Sequence, residues 1–308
     1  MGLLLSTWLC RRASGSSPSF SSAFSLLAVP PSSRLALTLS SFPVSPADGR
    51  SRWSPLHCSP HFLLSPCKQE VTRAPAELSS DVARAEMGVK SGLHVWEVLW
   101  SPTHRGSHAV VGVSRQDCPL QASGYNVLLG EDSQSWGWEL QSNQLWHKGQ
   151  TVGCYPCKRT KCHSKATEGS VLQSNVSPNK KQTETPLLIP ERVLLVLDAD
   201  LGTLGFVVDG SFLGVAFQGL PRGVELFPAV SSVRGGAHIR LRYLNGTTCN
   251  PPALMALSGL SICQFLGQQR QHEMCKLPLP PLLQHYLQSC FQFQHTLTPS
   301  RDASVPFE

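Results

Sequence analysis

The sequence predicts an all-β chain, an antiparallel β-sandwich, with a small α-helical segment behind it. Three observations between residues 190 and 233 carry the prediction. Val193 to Leu197 is a continuous apolar run, as a strand buried on both faces requires. Asp209-Gly210 is the dipeptide of a tight hairpin turn, and it lies between two β-branched and aromatic runs, Thr203 to Val208 and Phe212 to Phe217. Leu226 to Val233 adds a fourth run, so turn signals recur about every eight residues, the rhythm of a sandwich.

Taken in order, residues 1–66 read as a disordered or atypical leader. Ser and Pro dominate there, the first acidic residue is Asp48, and no apolar period is sustained. Three address signals compete with a leader that carries none. Met1-Gly2 with Ser6 fits the myristoylation pattern. Leu3 to Leu9 is short for a signal-peptide core, and Arg11-Arg12 follows it instead of preceding it. An acid-free start with Arg and Ser also resembles a mitochondrial transit peptide. The expected location is cytoplasmic, with mitochondrial targeting or myristoylation as lesser alternatives.

Residues 67–247 carry the strand pattern. Leu93, Val95 and Val98 alternate with His94 and Glu97, and Ala109 to Val113 reads as a central buried strand. Tyr125 to Leu129 and Trp136 to Leu140 follow as further strands, with Trp136, Trp138 and Trp146 expected between the sheets. Gly149 to Pro186 breaks the pattern and reads as a long, polar, flexible inter-strand loop. It holds Cys154, Cys157, Cys162 and His163, and the first pair has metal-ligand spacing. Four ligands so close together are cramped for a tetrahedral site, so exposed thiols are the favoured reading, and neither metal nor cofactor is expected. Behind the sandwich, Leu254, Leu257, Ser261 and Phe265 recur at helical spacing. Leu277-Pro278-Leu279-Pro280-Pro281 then precedes a second helical stretch, Leu282 to Leu287. This module spans 251–290, and residues 291–308 read as a flexible tail.

Composition excludes several classes. The net charge of +6 is moderate and its basic residues are scattered, unlike the concentrated face of a nucleic-acid binder. No apolar run reaches the length of a membrane-spanning helix. Eleven cysteines, an odd number without a regular framework, suggest free thiols in a reducing compartment. Histidines 94, 104 and 108 are close in sequence but have no nucleophile or acid pair beside them, so no catalytic role is expected.

These residues carry a family resemblance. Gly92-Leu93-His94-Val95-Trp96-Glu97, Ser135-Trp136-Gly137-Trp138, Leu197-Asp198, Gly202-Thr203-Leu204, Asp209-Gly210, Leu213-Gly214, Ala216-Phe217 and Phe227-Pro228-Ala229-Val230 look like a SPRY (B30.2-like) domain. The helical module resembles a SOCS box, so the whole is similar to the SPRY domain-containing SOCS box family. The resemblance implies a strand pair before Arg73, and nothing from Cys58 to Val71 reads as one.

The resemblance also implies sites. Arg73, Pro75, Ser80, Tyr125, Leu128, Val233 and Gly235 match positions of the family's cleft for an extended Asp/Glu-Ile/Leu-Asn-Asn-Asn peptide. Glu77 and Arg234 belong to the same cleft but depart from the family, which has a small residue and Trp there. Side-chain amides need fixed donors and acceptors, and Tyr125 would offer a ring and a hydroxyl. Leu257, Ser261 and Phe265 match the elongin-binding helix, with Ser261 in place of Cys. A hydroxyl in an apolar pocket costs about 1–2 kcal/mol if unpaired, so elongin binding is expected to be weakened but present. Leu277-Pro278-Leu279-Pro280 matches the run that selects cullin-5 with its RING partner. The expected function is therefore a non-catalytic adaptor that brings substrates to an elongin B/C–cullin-5 ubiquitin ligase for proteasomal degradation. A scaffold with an inactive SOCS box and a cysteine-rich zinc protein are the alternatives.

Overall fold

A computed structural model of the chain describes residues 23–41, 43–156, 186–247, 254–266, 273, 275–285 and 287–288. Within them, two antiparallel sheets pack face to face. One sheet has the order β1 (Trp53–Cys58), β4 (Ser79–Ala85), β14 (Phe227–Ser232), β6 (Ala109–Ser114), β8 (Ser135–Glu139), β9 (Gln144–His147) and β10 (Gln150–Cys154), with β7 (Gln121–Ser123) paired to one end of β4. The other runs β13 (Ser211–Gln218), β12 (Thr203–Val208), β11 (Arg192–Asp198), β5 (Leu93–Trp100), β15 (His238–Thr247), β3 (Glu70–Arg73) and β2 (Phe62–Leu64).

Strand alternation builds the core. Along β5, Trp96, Val98 and Trp100 point between the sheets, while Leu93 and Val95 face outward. On β11, Val193, Leu195 and Leu197 point inward and Leu194 and Val196 outward, which explains a continuous apolar run. Asp209 and Gly210 both have positive φ, 48° and 72°, as the tight β12–β13 hairpin demands. Trp136 and Trp138 enter the inter-sheet core as expected, and Trp138 packs on Phe206 with ring centroids 4.7 Å apart. Trp146 instead packs outside the first sheet, against a cluster with Val110, Leu128 and Leu129. Residues 125–129 form a covering loop there, not a strand.

The reading of the N-terminal region needs correction. From residue 23 on, the described leader is built into the sandwich. Trp53, Phe62 and Val71 are core residues exposed by no more than 4%, and β2 and β3 supply the edge hairpin that the family resemblance implies. These strands leave no periodic signal in the sequence because they are three to six residues long and one contains Pro55, so no window sustains a period of two. Their partners decide their state. Upstream, helix α1 (Ser33–Ser40) is capped by the Ser32 hydroxyl, which accepts from the Leu35 N–H. Leu35 is 2% exposed and plugs the outward face of the second sheet beside Val95, Leu194 and Val196. Arg34 reinforces the dock by donating to Asp200 (2.6 Å) and to the Thr247 carbonyl (2.8 Å).

The expected flexible loop starts later than its assigned boundary, because Gln150–Cys154 is strand β10. Residues 157–185 lie outside the described residues, and with them Cys157, Cys162 and His163 of the candidate metal set; Cys154 is exposed. Residues 1–22 and 291–308, with the address signals and the tail, are likewise outside.

Candidate functional site

The cleft positions expected from the sequence converge at one end of the sandwich, and one buried acid organises the ground beneath them. Asp81, on β4, is fully buried. One of its oxygens accepts from Arg73 Nε (2.8 Å) and pairs with the guanidinium terminus (2.6 Å). The other accepts from the Ser59 hydroxyl (2.6 Å), the Ser79 hydroxyl (3.1 Å) and Gln121 Nε2 (3.2 Å), with His61 Nδ1 at 3.0 Å. Burial opposes its charge, but the Ser59 and Arg73 hydrogen bonds outweigh burial and leave the carboxyl below its usual range. Arg73 is therefore spent on structure. Its remaining donors bind the Ser79 carbonyl (2.8 Å) and that of Ala74 (3.4 Å), which curls the 74–78 loop over the strand ends.

Ser80 does the same for the next loop. Its hydroxyl lies 2.8 and 2.9 Å from the Gly124 and Asn126 carbonyls and accepts from the Asn126 N–H at 2.9 Å. The Gly124 N–H donates to the Leu78 carbonyl (2.7 Å), so Tyr125 is held beside the 74–78 loop. The third loop, 233–236, is tied down by the Gly236 N–H on the Arg73 carbonyl (2.7 Å). Gly235 lies against Pro75, where a Cβ would come within 2.8 Å of the proline Cα. Gly106, at φ +70°, meets Arg234 in the same way. Arg105, before it, is buried and donates to the Ile189 (2.6 Å) and Trp100 (2.8 Å) carbonyls, and burial pushes its pKa down to about 10.

The predicted residues thus divide by role. Arg73, Ser80, Leu128 and Val233 are buried and position the loops. Pro75, Glu77, Tyr125 and Arg234 are exposed at the surface of these loops, with Gly235 half-buried among them. Glu77 and Arg234 make no ion pair among the described residues. Leu78 was missed. It is 66% exposed on the same loop at φ +48°, a conformation that nothing local in the sequence specifies. An aromatic ring, an apolar side chain, fixed backbone groups and two free charges of opposite sign suit capture of an extended peptide. His94 serves structure, with Nδ1 2.8 Å from the Tyr243 hydroxyl and Nε2 2.8 Å from the Ser91 carbonyl. No group of three metal-ligating side chains comes together among the described residues.

The second site is on helix α2 (Leu254–Leu266). Ile262 and Leu266 pack against Leu277, Leu279 and Leu287, a small core of their own. The adjoining face carries Leu254 (80% exposed), a half-buried Leu257, an exposed Ser261 and Phe265 (81% exposed). Leu257, Ser261 and Phe265 are therefore brought together as an open stripe. Of the proline run, Pro278 and Pro280 are exposed, while Leu277 and Leu279 are partly consumed by the small core. Gln284 Nε2 donates to the Leu277 carbonyl at 3.0 Å and holds the run against the helical turn at 281–285.

Comparison with known proteins agrees with this division. A SPRY domain model matches residues 93–243 and a SOCS box model matches 250–288. SPRY domain-containing SOCS box protein 2 of Homo sapiens is 38% identical over 78% of this chain and 83% of its own length. Protein gustavus of Drosophila melanogaster is also 38% identical, over 73% of this chain and 74% of its own length. The solved SPRY domain of human HERC1 aligns at 18% identity over 62% of this chain and 97% of that one, with a TM-score of 0.41. No helix among the described residues is long and apolar enough to cross a membrane. With both domain models matched in order and relatives aligned over most of their length, the chain belongs to the SPRY domain-containing SOCS box family, whose members join a recognition sandwich to a ubiquitin-ligase docking module.

Proposed function

We propose that this protein is a non-catalytic substrate receptor that binds elongin B/C through α2 and cullin-5 with its RING partner through the 277–280 run. The sandwich captures a short peptide of the Asp/Glu-Ile/Leu-Asn-Asn-Asn kind at the Tyr125 cleft, and the bound target is ubiquitinated and degraded. Proximity is the whole contribution of the receptor; the transfer chemistry belongs to its partners. The observation that carries this reading is the open stripe on α2, in the same chain as the preformed cleft. An apolar stripe left uncovered beside its own small core is what a helix-in-groove partner needs. The exposed prolines next to it suit a second partner.

A full-length pull-down of elongin B/C beside Leu257→Asp tests it. Fragments starting at Arg73 would lose β1, β2 and α1, so the intact chain is required. Capture abolished by the aspartate supports the receptor. A folded chain that captures nothing would leave a peptide-binding scaffold with an inactive SOCS box, which Ser261, standing where the family has Cys, favours as second reading.

A further inference from the structure

The outward face of the second sheet holds a cleft that neither the peptide site nor the docking helix uses. It has a volume of about 380 Å³, within the range of small-molecule sites, and lies where the last turn of α1 and the segment after it overhang β5, β11 and β15. Leu39, Val95 and Leu244 form apolar walls, and three charged side chains form its base. Cross-strand register sets Arg242 of β15 opposite Glu97 of β5, yet Glu97 pairs with Arg192 of β11 instead, at 2.5 Å. Two arginines thus flank a single carboxylate that pairs with only one of them. Arg242 is the one left over: its side chain has no hydrogen-bond or ion-pair partner among the described residues, and its Nε is cut off from solvent. A buried donor without an acceptor is costly, and on a cation more so.

We propose that this cleft binds a small carboxylate on an apolar body, with the acid on Arg242 and the body against Leu39, Val95 and Leu244. The charge arithmetic calls for one negative charge, and the walls call for carbon. A planar carboxylate also matches the guanidinium fork, accepting from Nε and a terminal nitrogen together. The site depends on α1, because without that helix the face would be an open sheet surface.

Sodium octanoate is a suitable probe, titrated calorimetrically into the full-length chain beside 1-octanol and n-octylammonium. Octanoate should saturate one site, octanol should bind about tenfold more weakly, and the ammonium should give no saturable heat. Arg242→Met keeps the apolar stem and should weaken octanoate about tenfold while leaving capture of the Asn-rich peptide unchanged. Glu97→Gln, which frees Arg192 as a second partner, should tighten octanoate several-fold and keeps the test open if the methionine variant fails to fold. No saturable octanoate binding, equal affinity in Arg242→Met, equal binding of the ammonium, or no gain in Glu97→Gln would each overturn the proposal.

Discussion

Asp81 is the residue on which the proposed peptide cleft depends most. Its carboxylate gathers Arg73, Ser59, Ser79, His61 and Gln121, drawn from four separate stretches of chain. Replacing it with Ala leaves the fully buried Arg73 without its counter-ion, a loss expected to cost about 3–5 kcal/mol. Urea unfolding of Asp81→Ala against wild type measures this directly. The pH dependence has a definite sign. The folded-state pKa lies below the ordinary carboxyl value of 3.8, so the contribution is complete above the unfolded value and is lost as pH falls through the folded one. Wild-type stability should therefore drop more steeply below about pH 4 than that of the variant, and the gap between them should close in acid. Tyr125 is the complementary case. It is 43% exposed, so Tyr125→Ala should leave the unfolding midpoint almost unchanged while reducing affinity for the Asn-rich peptide about tenfold or more, read by calorimetry.

Two helices set what the elements do. α1 covers the second sheet through Leu35, and truncating that side chain opens a cavity among Leu93, Val95, Leu194 and Val196. Leu35→Ala should cost about 2–5 kcal/mol in denaturant titrations, a value no disordered leader could show. α2 turns Leu254, Leu257, Ser261 and Phe265 outward, and Ser261 is the departure that can be repaired. Ser261→Cys should tighten elongin B/C binding by a factor of about 5–30, the equivalent of the 1–2 kcal/mol desolvation cost of the hydroxyl. An unchanged dissociation constant would mean that Ser261 finds a hydrogen-bond partner in the complex. Legibility differed between these two helices. α2 was readable because its stripe recurs at helical spacing over three turns. α1 is eight residues long, too short for a period to stand out, and its capping Ser32 is one serine among many.

At the scale of the molecule, the cleft and the docking stripe are carried by separate small structures, the strand-end loops and the α2 core. Their mutational effects should be additive. Leu257→Asp should leave peptide affinity intact, Tyr125→Ala should leave elongin capture intact, and the double variant should lose both without further coupling. Calorimetry on the four proteins checks it. What the sequence by itself determined was local: β11 from its unbroken apolar run, the β12–β13 turn from Asp209-Gly210, the α2 stripe from its spacing, and the order of the two modules. Each follows from the steric and periodic preferences of a few neighbouring residues. What only the tertiary structure decided depends on partners distant in the chain. Trp53 and Val71 become strand residues because β4 and β15 offer edges to pair with, and Phe62 because β3 in turn offers its own. Arg73 and Ser80 anchor the cleft loops because Asp81 and the Gly124 and Asn126 carbonyls lie within reach. Arg242 is left unpaired because Glu97, its cross-strand neighbour, goes to Arg192. Long-range pairing of polar groups cannot be seen in any window of sequence, since burial creates the need for it and folding alone supplies the partner.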